Sequence, residues 1–194
     1  GVRAERAAAL GYLARLAGGA GVAAAAARAA DNMTDRMAAL GALNDQPGPE
    51  RDAALKAFRL DFSDNPIVLD KWFALIATAP IPSVLEDIRE AMQDPAFSLT
   101  NPNKARALIG AFAASNPTGF HRADGAGYDF LAEQTLALDK INPQIAARML
   151  SPLGRWRRMP PARQALMQAA LERILAAPGL SPDVFEITEK GIKA

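Results

Sequence analysis

The chain of 194 residues has no cysteine and only one histidine, His121. Without cysteine it can form neither disulfides nor thiolate chemistry, and one histidine is too few for the common tetrahedral zinc sites. We therefore expect no metal site and no cofactor within this chain. The absence of cysteine also suits a reducing compartment, so we expect a cytoplasmic protein.

Charge of one sign is also lacking, because 22 Lys and Arg side chains balance 21 Asp and Glu for a net charge of +1. Such a balance gives no broad basic surface for nucleic acid or an anionic membrane. The uncharged run at 16–27 holds 12 residues between Arg15 and Arg28. A membrane-spanning helix needs about 20 apolar residues. We expect neither nucleic acid nor a membrane as partner.

No segment alternates apolar and polar residues as a strand would, whereas Asn-Pro occurs four times, at 65–66, 101–102, 116–117 and 142–143. Asn is a good N-cap and Pro fits the first helical position, so the pair marks helix starts. Starts recurring after 36 and 41 residues, at Asn65, Asn101 and Asn142, are typical of stacked helix pairs. The sequence predicts an all-α, right-handed α-solenoid of HEAT or armadillo type. We expect about ten or eleven helices in one domain, residues 1–194.

Two of the predicted helices have informative faces. The helix after Asn65 is apolar on nearly every side, so we expect Trp72 and Phe73 near the middle of the core. The helix after Asn101 carries an apolar stripe at the i, i+3, i+4, i+7 spacing of an inward face. The stripe consists of Ala105, Leu108, Ile109, Phe112 and Ala113. Between these helices, Ser83 and Glu86 match a capping box.

Few side chains suggest catalysis. Ser115, His121 and Asp124 supply the residue types of a triad, but they fall within one short segment that indicates no nucleophile elbow or oxyanion hole. Gly125 and Gly127 precede a helix without the strand or third glycine of a dinucleotide fingerprint. We therefore expect no catalytic residue in this chain and a structural or solvated role for His121.

Arginines offer the remaining candidates. Arg155, Arg157 and Arg158 flank Trp156 and could grip phosphate, but a solvated turn with Trp156 packed inward is the favoured interpretation. Arg106 flanks the apolar stripe of its helix. Arg148 is expected on the side of its helix away from Ile145 and Met149. On the concave side of a solenoid, either arginine would meet a ligand.

The N-terminal helix predicted at 3–17 offers an apolar surface, and the chain does not begin with Met. We interpret the chain as a fragment of a longer protein whose preceding helices cover this surface. Without them, we expect self-association or fraying through the side chains of Leu10, Tyr12, Leu13 and Leu16.

Several segments in matching order resemble the bacterial aminopeptidase N family of M1 zinc metallopeptidases. They are DNMTD (31–35), LDKWF (69–73), NPNKARALIGAF (101–112), SNP (115–117), FH (120–121) and DKINPQIAAR (139–148). The similarity runs from about residue 5 to the C-terminus. It departs from the family at Lys104, where arginine is expected, and is poor at 41–62.

The resemblance implies the end of the C-terminal helical domain of that family, which closes the catalytic domain like a lid and gates a peptide chamber. Arg106 and Arg148 match the two arginines that look into this chamber. Zinc belongs to the upstream catalytic domain, whose H-E-x-x-H and G-x-M-E-N motifs do not occur here. The implied partners are that catalytic domain, in the same chain, and peptide substrates. The alternative is a stand-alone HEAT-like adaptor that binds a protein on its concave face.

Overall fold

The computed structural model describes residues 1–193, and every regular element in that range is a helix. The α-helices are α1 (Val2–Leu13), α2 (Gly19–Ala29), α3 (Met33–Leu43), α4 (Pro49–Asp61), α5 (Pro66–Thr78), α6 (Val84–Ala91), α7 (Pro102–Ala105), α8 (Ala111–Ser115), α9 (Pro117–Phe120), α10 (Ala126–Asp139), α11 (Pro143–Met149), α12 (Pro161–Leu175) and α13 (Pro182–Lys193). A π-helical turn (Arg106–Gly110) joins α7 to α8, and a 3₁₀ helix (Leu153–Arg158) follows α11.

All four Asn-Pro pairs begin helices. The side chains of Asn65, Asn101, Asn116 and Asn142 each accept a hydrogen bond from a backbone N–H in the first turn that follows. The pair at 116–117 starts the four-residue helix α9, which the periodicity does not reveal. Counting α7, the π-helical turn and α8 as one continuous helix, the described residues form twelve α-helices besides the 3₁₀ helix, one more than the upper expectation.

Successive helix pairs are joined by polar contacts between residues about one repeat apart. Arg51 on α4 pairs with Asp87 on α6 at 3.1 Å, 36 residues further along. Lys104 on α7 donates to Asp70 on α5 at 2.7 Å, across 34 residues. Contacts of this range between neighbouring units are what a solenoid requires, because each repeat packs only against the next. The all-α solenoid prediction is confirmed.

One large core runs from α2 to α13 and is rich in aromatic side chains around α8, α9 and α10. Phe73 is fully buried, as expected, but Trp72 is only partly buried. Adjacent helical residues point about 100° apart. Phe73 therefore faces the core while Trp72 lines a groove shared with α4 and α6, with the Arg59 guanidinium 6.0 Å from its ring centroid. The expectation of a central Trp72 is wrong.

Two further local expectations have different outcomes. Ser83 precedes α6, but its side chain makes no capping hydrogen bond, so the proposed capping box does not form. The stripe of the helix after Asn101 is confirmed, since all five members are buried. That stripe fixes the orientation of the π-helical turn and therefore of Arg106.

The N-terminal end is packed more sparsely than the remainder. A separate small cluster joins Ala14 to Ala23, Ala24, Ala42 and Leu43. Helix α1 contains no buried residue, and Tyr12 is 76% and Leu16 64% exposed. Within residues 1–193, no helix combines the length and apolarity needed to cross a membrane.

Candidate functional site

A cavity of about 750 Å³ opens between the helix at 102–115, the end of α9, α11 and the 3₁₀ helix. We call it the basic cavity. Its volume falls within the range of ligand pockets. Its fourteen lining residues are Arg106, Gly110, Ala111, Ala113, Ala114, His121, Ile145, Arg148, Met149, Ser151, Pro152, Arg155, Arg158 and Met159.

Arg106 forms one wall of the basic cavity because the opposite face of its helix is buried. The exposed face presents Arg106, Gly110 and Ala114 to the opening. The Arg106 guanidinium donates to the Pro102 carbonyl oxygen at 3.1 Å and to Asn103 Oδ1 at 2.8 Å. These two bonds hold the side chain in place without neutralising its charge. The π-helical turn that begins at Arg106 is a feature often found at functional sites.

Arg148 on α11 also lines the basic cavity. It shares the basic cavity with Ile145 and Met149, so the expectation that it points away from them is wrong. Residues three apart on a helix lie on the same side, which accounts for Ile145 and Arg148 together. Arg148 also borders a smaller cavity with Asp183 and Glu186, but no carboxylate of residues 1–193 comes within 4.0 Å of its guanidinium.

The 3₁₀ helix supplies Arg155 and Arg158, for which the sequence favours a solvated turn over a phosphate-binding cluster. With three residues per turn, positions i and i+3 lie above one another. Leu153 and Trp156 are accordingly both buried, while Arg155 and Arg158 both face the basic cavity. Trp156 packs inward as expected and donates from Nε1 to the Gly191 carbonyl oxygen at 2.8 Å.

His121 completes the wall beside α9. Its Nδ1 lies 2.9 Å from the Tyr128 hydroxyl, and its carbonyl oxygen accepts from Arg163 Nε at 2.7 Å. Burial lowers the pKa of His121 below its ordinary value, and the charge of Arg163 lowers it further. Both effects favour the neutral imidazole over the charged one.

The electrostatic character of the basic cavity is one-sided. Four guanidinium groups line it, and none of its lining residues within 1–193 is an Asp or Glu. The whole chain has a net charge of only +1, so positive charge is concentrated here. A cleft of one sign with partly apolar walls focuses its field on the opening and attracts counter-ions. Planar guanidinium forks are suited to carboxylates.

The other candidates have local explanations. Asp124 pairs with Arg122 at 2.8 Å, and His121 contacts Tyr128, so no hydrogen bond recorded within residues 1–193 links His121 to Ser115 or Asp124. Gly127 lies where α10 meets α9, and a Cβ there would come within 2.4 Å of the Phe120 carbonyl oxygen. Within the described range, no three His, Cys, Asp or Glu side chains form a group that could hold a metal ion.

Comparison with known proteins gives consistent matches. The family described as "Domain of unknown function (DUF3458_C) ARM repeats" matches residues 1–193. Aminopeptidase N of Caulobacter vibrioides is 46% identical over 164 residues, and that of Escherichia coli 45% over 163 residues. Each alignment covers 84% of this chain, which spans about a fifth (19%) of the length of these relatives.

A solved structure agrees with the sequence matches. The crystal structure of Legionella pneumophila aminopeptidase A in complex with aspartic acid superposes with a TM-score of 0.85 and is 34% identical. The alignment covers 90% of this chain and 21% of that one. The helical architecture agrees with the family match and with these relatives. The chain is similar to the C-terminal part of aminopeptidase N and belongs to the DUF3458_C family of ARM-repeat domains.

Proposed function

We propose that this chain is the C-terminal lid of an M1 zinc aminopeptidase N, enclosing the chamber in which N-terminal residues are released from peptides. The observation that carries the proposal is the identity of 43–46% to three aminopeptidases N over 84% of the chain. In this proposal the partners are the catalytic domain of the same chain and peptide substrates. We place the enzyme in the cytoplasm, in keeping with a chain free of cysteine.

Zinc chemistry belongs to another part of the proposed enzyme. Residues 1–193 provide no ligand set that would fit the ion. The contribution of this chain is to bind and orient the peptide. Holding a substrate in a productive position lowers the barrier without any group of the lid entering the bond cleavage.

Arg106 and Arg148 are the residues that we assign to this positioning. They lie 42 positions apart in the sequence and on different helices, but they line one cavity. Each presents fixed N–H donors that suit a peptide carboxylate or backbone carbonyl oxygens. A peptide held there by its far end would extend its free amine toward the catalytic domain.

The test is kinetic and uses the whole enzyme. Arg106→Ala and Arg148→Ala should each raise KM for tripeptides and longer peptides by about tenfold, because a hydrogen bond to a charged group contributes about 1.5 kcal/mol. The kcat for a one-residue chromogenic substrate, which does not reach the arginines, should stay unchanged. Arg173→Ala, which removes an exposed arginine paired with Asp129 on the outside of α10 and α12, is the matched control.

Two outcomes contradict this proposal. Peptide kinetics that remain unchanged in the Arg106→Ala/Arg148→Ala double variant would remove the arginines from substrate positioning. An open reading frame that begins near residue 1, with no upstream H-E-x-x-H motif, would remove the enzyme and leave the adaptor alternative.

We further propose that the apolar surface of α1 and the following turn is covered by another helix in the complete enzyme and self-associates without it. Tyr12, Leu13 and Leu16 are all exposed, and α1 buries none of its own residues. Sedimentation of the 194-residue chain should show concentration-dependent dimers that Tyr12→Ser/Leu16→Ser abolishes. A strict monomer with strongly protected amides in α1 would contradict this.

A further inference from the structure

Arg155 and Arg158 extend the basic cavity beyond the two arginines assigned above. Both are exposed, and neither makes a side-chain hydrogen bond or ion pair recorded within residues 1–193. The inner side of their 3₁₀ helix is anchored in the core, because Leu153 and Trp156 are buried and Trp156 donates a hydrogen bond to the Gly191 carbonyl oxygen. The two guanidinium groups are therefore presented to the cavity by a rigid element.

The neighbouring arginines show that the lack of side-chain hydrogen bonds and ion pairs is specific to the cavity side. Arg157, between them, stacks on the Trp156 ring at 4.0 Å and donates to the Ile192 carbonyl oxygen at 2.8 Å. Arg163 is likewise engaged with the His121 carbonyl oxygen. Arg157 and Arg163 thus serve the fold, whereas Arg155 and Arg158 on the cavity side make no such side-chain contact within residues 1–193.

We infer that the basic cavity selects peptides that carry two or more carboxylates, with Arg155 and Arg158 as the specificity-determining pair. One two-point pair between arginine and a carboxylate uses a single guanidinium group. The C-terminal carboxylate of a peptide therefore leaves most of the four guanidinium groups of the cavity without a partner. An acidic side chain near the C-terminus would occupy a further arginine. The apolar surfaces of Ile145, Met149 and Met159 leave room for the uncharged part of the peptide.

The inference deepens the proposed function, because it names the substrate class for the same cavity, but its test needs no catalysis. The 194-residue chain is titrated by calorimetry at an ionic strength of about 0.1 M, where charge screening is moderate. The probes are the tripeptides Ala-Glu-Glu and Ala-Gln-Gln and the C-terminal amide of the latter. They match in size and carry three, one and no carboxylates.

Ala-Glu-Glu should bind about tenfold more tightly than Ala-Gln-Gln, since two partly exposed ion pairs together contribute roughly that factor. In Arg155→Gln/Arg158→Gln the ratio should fall below about threefold, whereas Arg28→Gln/Arg173→Gln, with the same loss of charge at exposed positions outside the cavity, should keep it. Circular dichroism would verify that both double variants remain folded.

Equal binding of the three peptides to the unaltered chain would overturn the inference. An equal fall of the ratio in the two double variants would also overturn it, because the effect would then come from overall charge. The two proposals can fail separately. A KM effect of Arg106→Ala with no preference for Ala-Glu-Glu keeps the lid and rejects the selection. A preference for Ala-Glu-Glu with no KM effect of Arg106→Ala keeps the carboxylate selection and rejects Arg106 as a positioning residue.

Discussion

The basic cavity and a second depression on the same molecule use arginine in opposite ways. The second depression, which we call the paired groove, lies between α4, α5 and α6 and has a volume of about 680 Å³, close to the 750 Å³ of the basic cavity. Its lining holds three cations and four carboxylates: Arg51, Lys56, Arg59, Asp52, Asp87, Glu90 and Asp94. Size does not distinguish the two sites, but the pairing of charge does.

In the paired groove the arginines join one helix pair to the next. Arg59 forms a two-point contact with Asp94, with Nε and Nη2 at 2.8 and 2.9 Å from the two carboxylate oxygens. Arg51 is only 4% exposed and pairs with Asp87 through Nη1. Both contacts connect residues 35 or 36 positions apart. Here the carboxylates are supplied by the fold itself.

The basic cavity is also lined by arginine guanidinium groups, but none of its lining residues within 1–193 carries a carboxylate. Arg106 is held by a carbonyl and an amide oxygen, and Arg148, Arg155 and Arg158 have no ion pair recorded within residues 1–193. An arginine whose counter-charge lies in the fold contributes to stability, whereas an arginine without one is available to a ligand. Pairing, more than arginine content, therefore separates a structural site from a candidate binding site.

The largest expected effect breaks a pair in the groove. Asp87→Ala should lower the free energy of unfolding by about 3 kcal/mol, because it leaves the buried Arg51 guanidinium without its nearest carboxylate. The control is Asp129→Ala, which removes an exposed partner of Arg173 and should cost less than about 1 kcal/mol. Urea titrations of both variants give the two values. Similar losses would show that burial does not distinguish the pairs.

A smaller effect should appear in the pH dependence of stability. The hydrogen bond from Arg59 holds the pKa of Asp94 below its ordinary value, although burial opposes the shift. A carboxyl whose pKa is lowered by folding stabilises the folded state above its unfolded pKa of about 3.9, and this contribution is lost as pH falls through the lowered value.

The Asp94→Asn variant isolates that contribution. Its free energy of unfolding should fall less steeply than that of the unaltered chain as pH drops below about 4. Asp183→Asn, which removes an exposed carboxyl at the start of α13, is the control for the loss of one negative charge. Parallel acid limbs for Asp94→Asn and the unaltered chain would contradict the stabilising role of the Arg59–Asp94 pair.

The sequence predicts the solenoid well because helix starts are a local property. Asn supplies a side-chain acceptor and Pro a fixed φ wherever they occur, so the four pairs mark helix starts without knowledge of the tertiary structure. The stripe from Ala105 to Ala113 is equally local, since it depends only on helical spacing. The face that it buries determines which side of the helix carries Arg106.

The site is less predictable because its residues meet only through packing. Arg155 and Arg158 share a face under 3₁₀ spacing, which the analysis of helical periodicity does not test. The sequence-based prediction places Arg148 on the wrong side of α11 because it overlooks that residues three apart, such as Ile145 and Arg148, lie on the same side of a helix. Trp72 lies on a helix that is apolar on nearly every side, and only the position of α4 and α6 determines which residue faces the groove. The basic cluster around Trp156 is the signal that could have found the two arginines.

The smallest effect tests the absence of pairing in the basic cavity. Replacing Arg158 by Gln removes one of four neighbouring positive charges and no ion pair recorded within residues 1–193. Like charges on adjacent turns destabilise by a few tenths of a kcal/mol, so the free energy of unfolding should stay the same or rise by about 0.3 kcal/mol. Arg173→Gln, which loses its pair with Asp129, should change stability in the opposite direction by a comparable amount.

Added salt screens repulsion between exposed charges. It should therefore stabilise the unaltered chain slightly more than Arg158→Gln. A loss above about 1 kcal/mol in Arg158→Gln would show that this arginine is held by the fold, as those of the paired groove are.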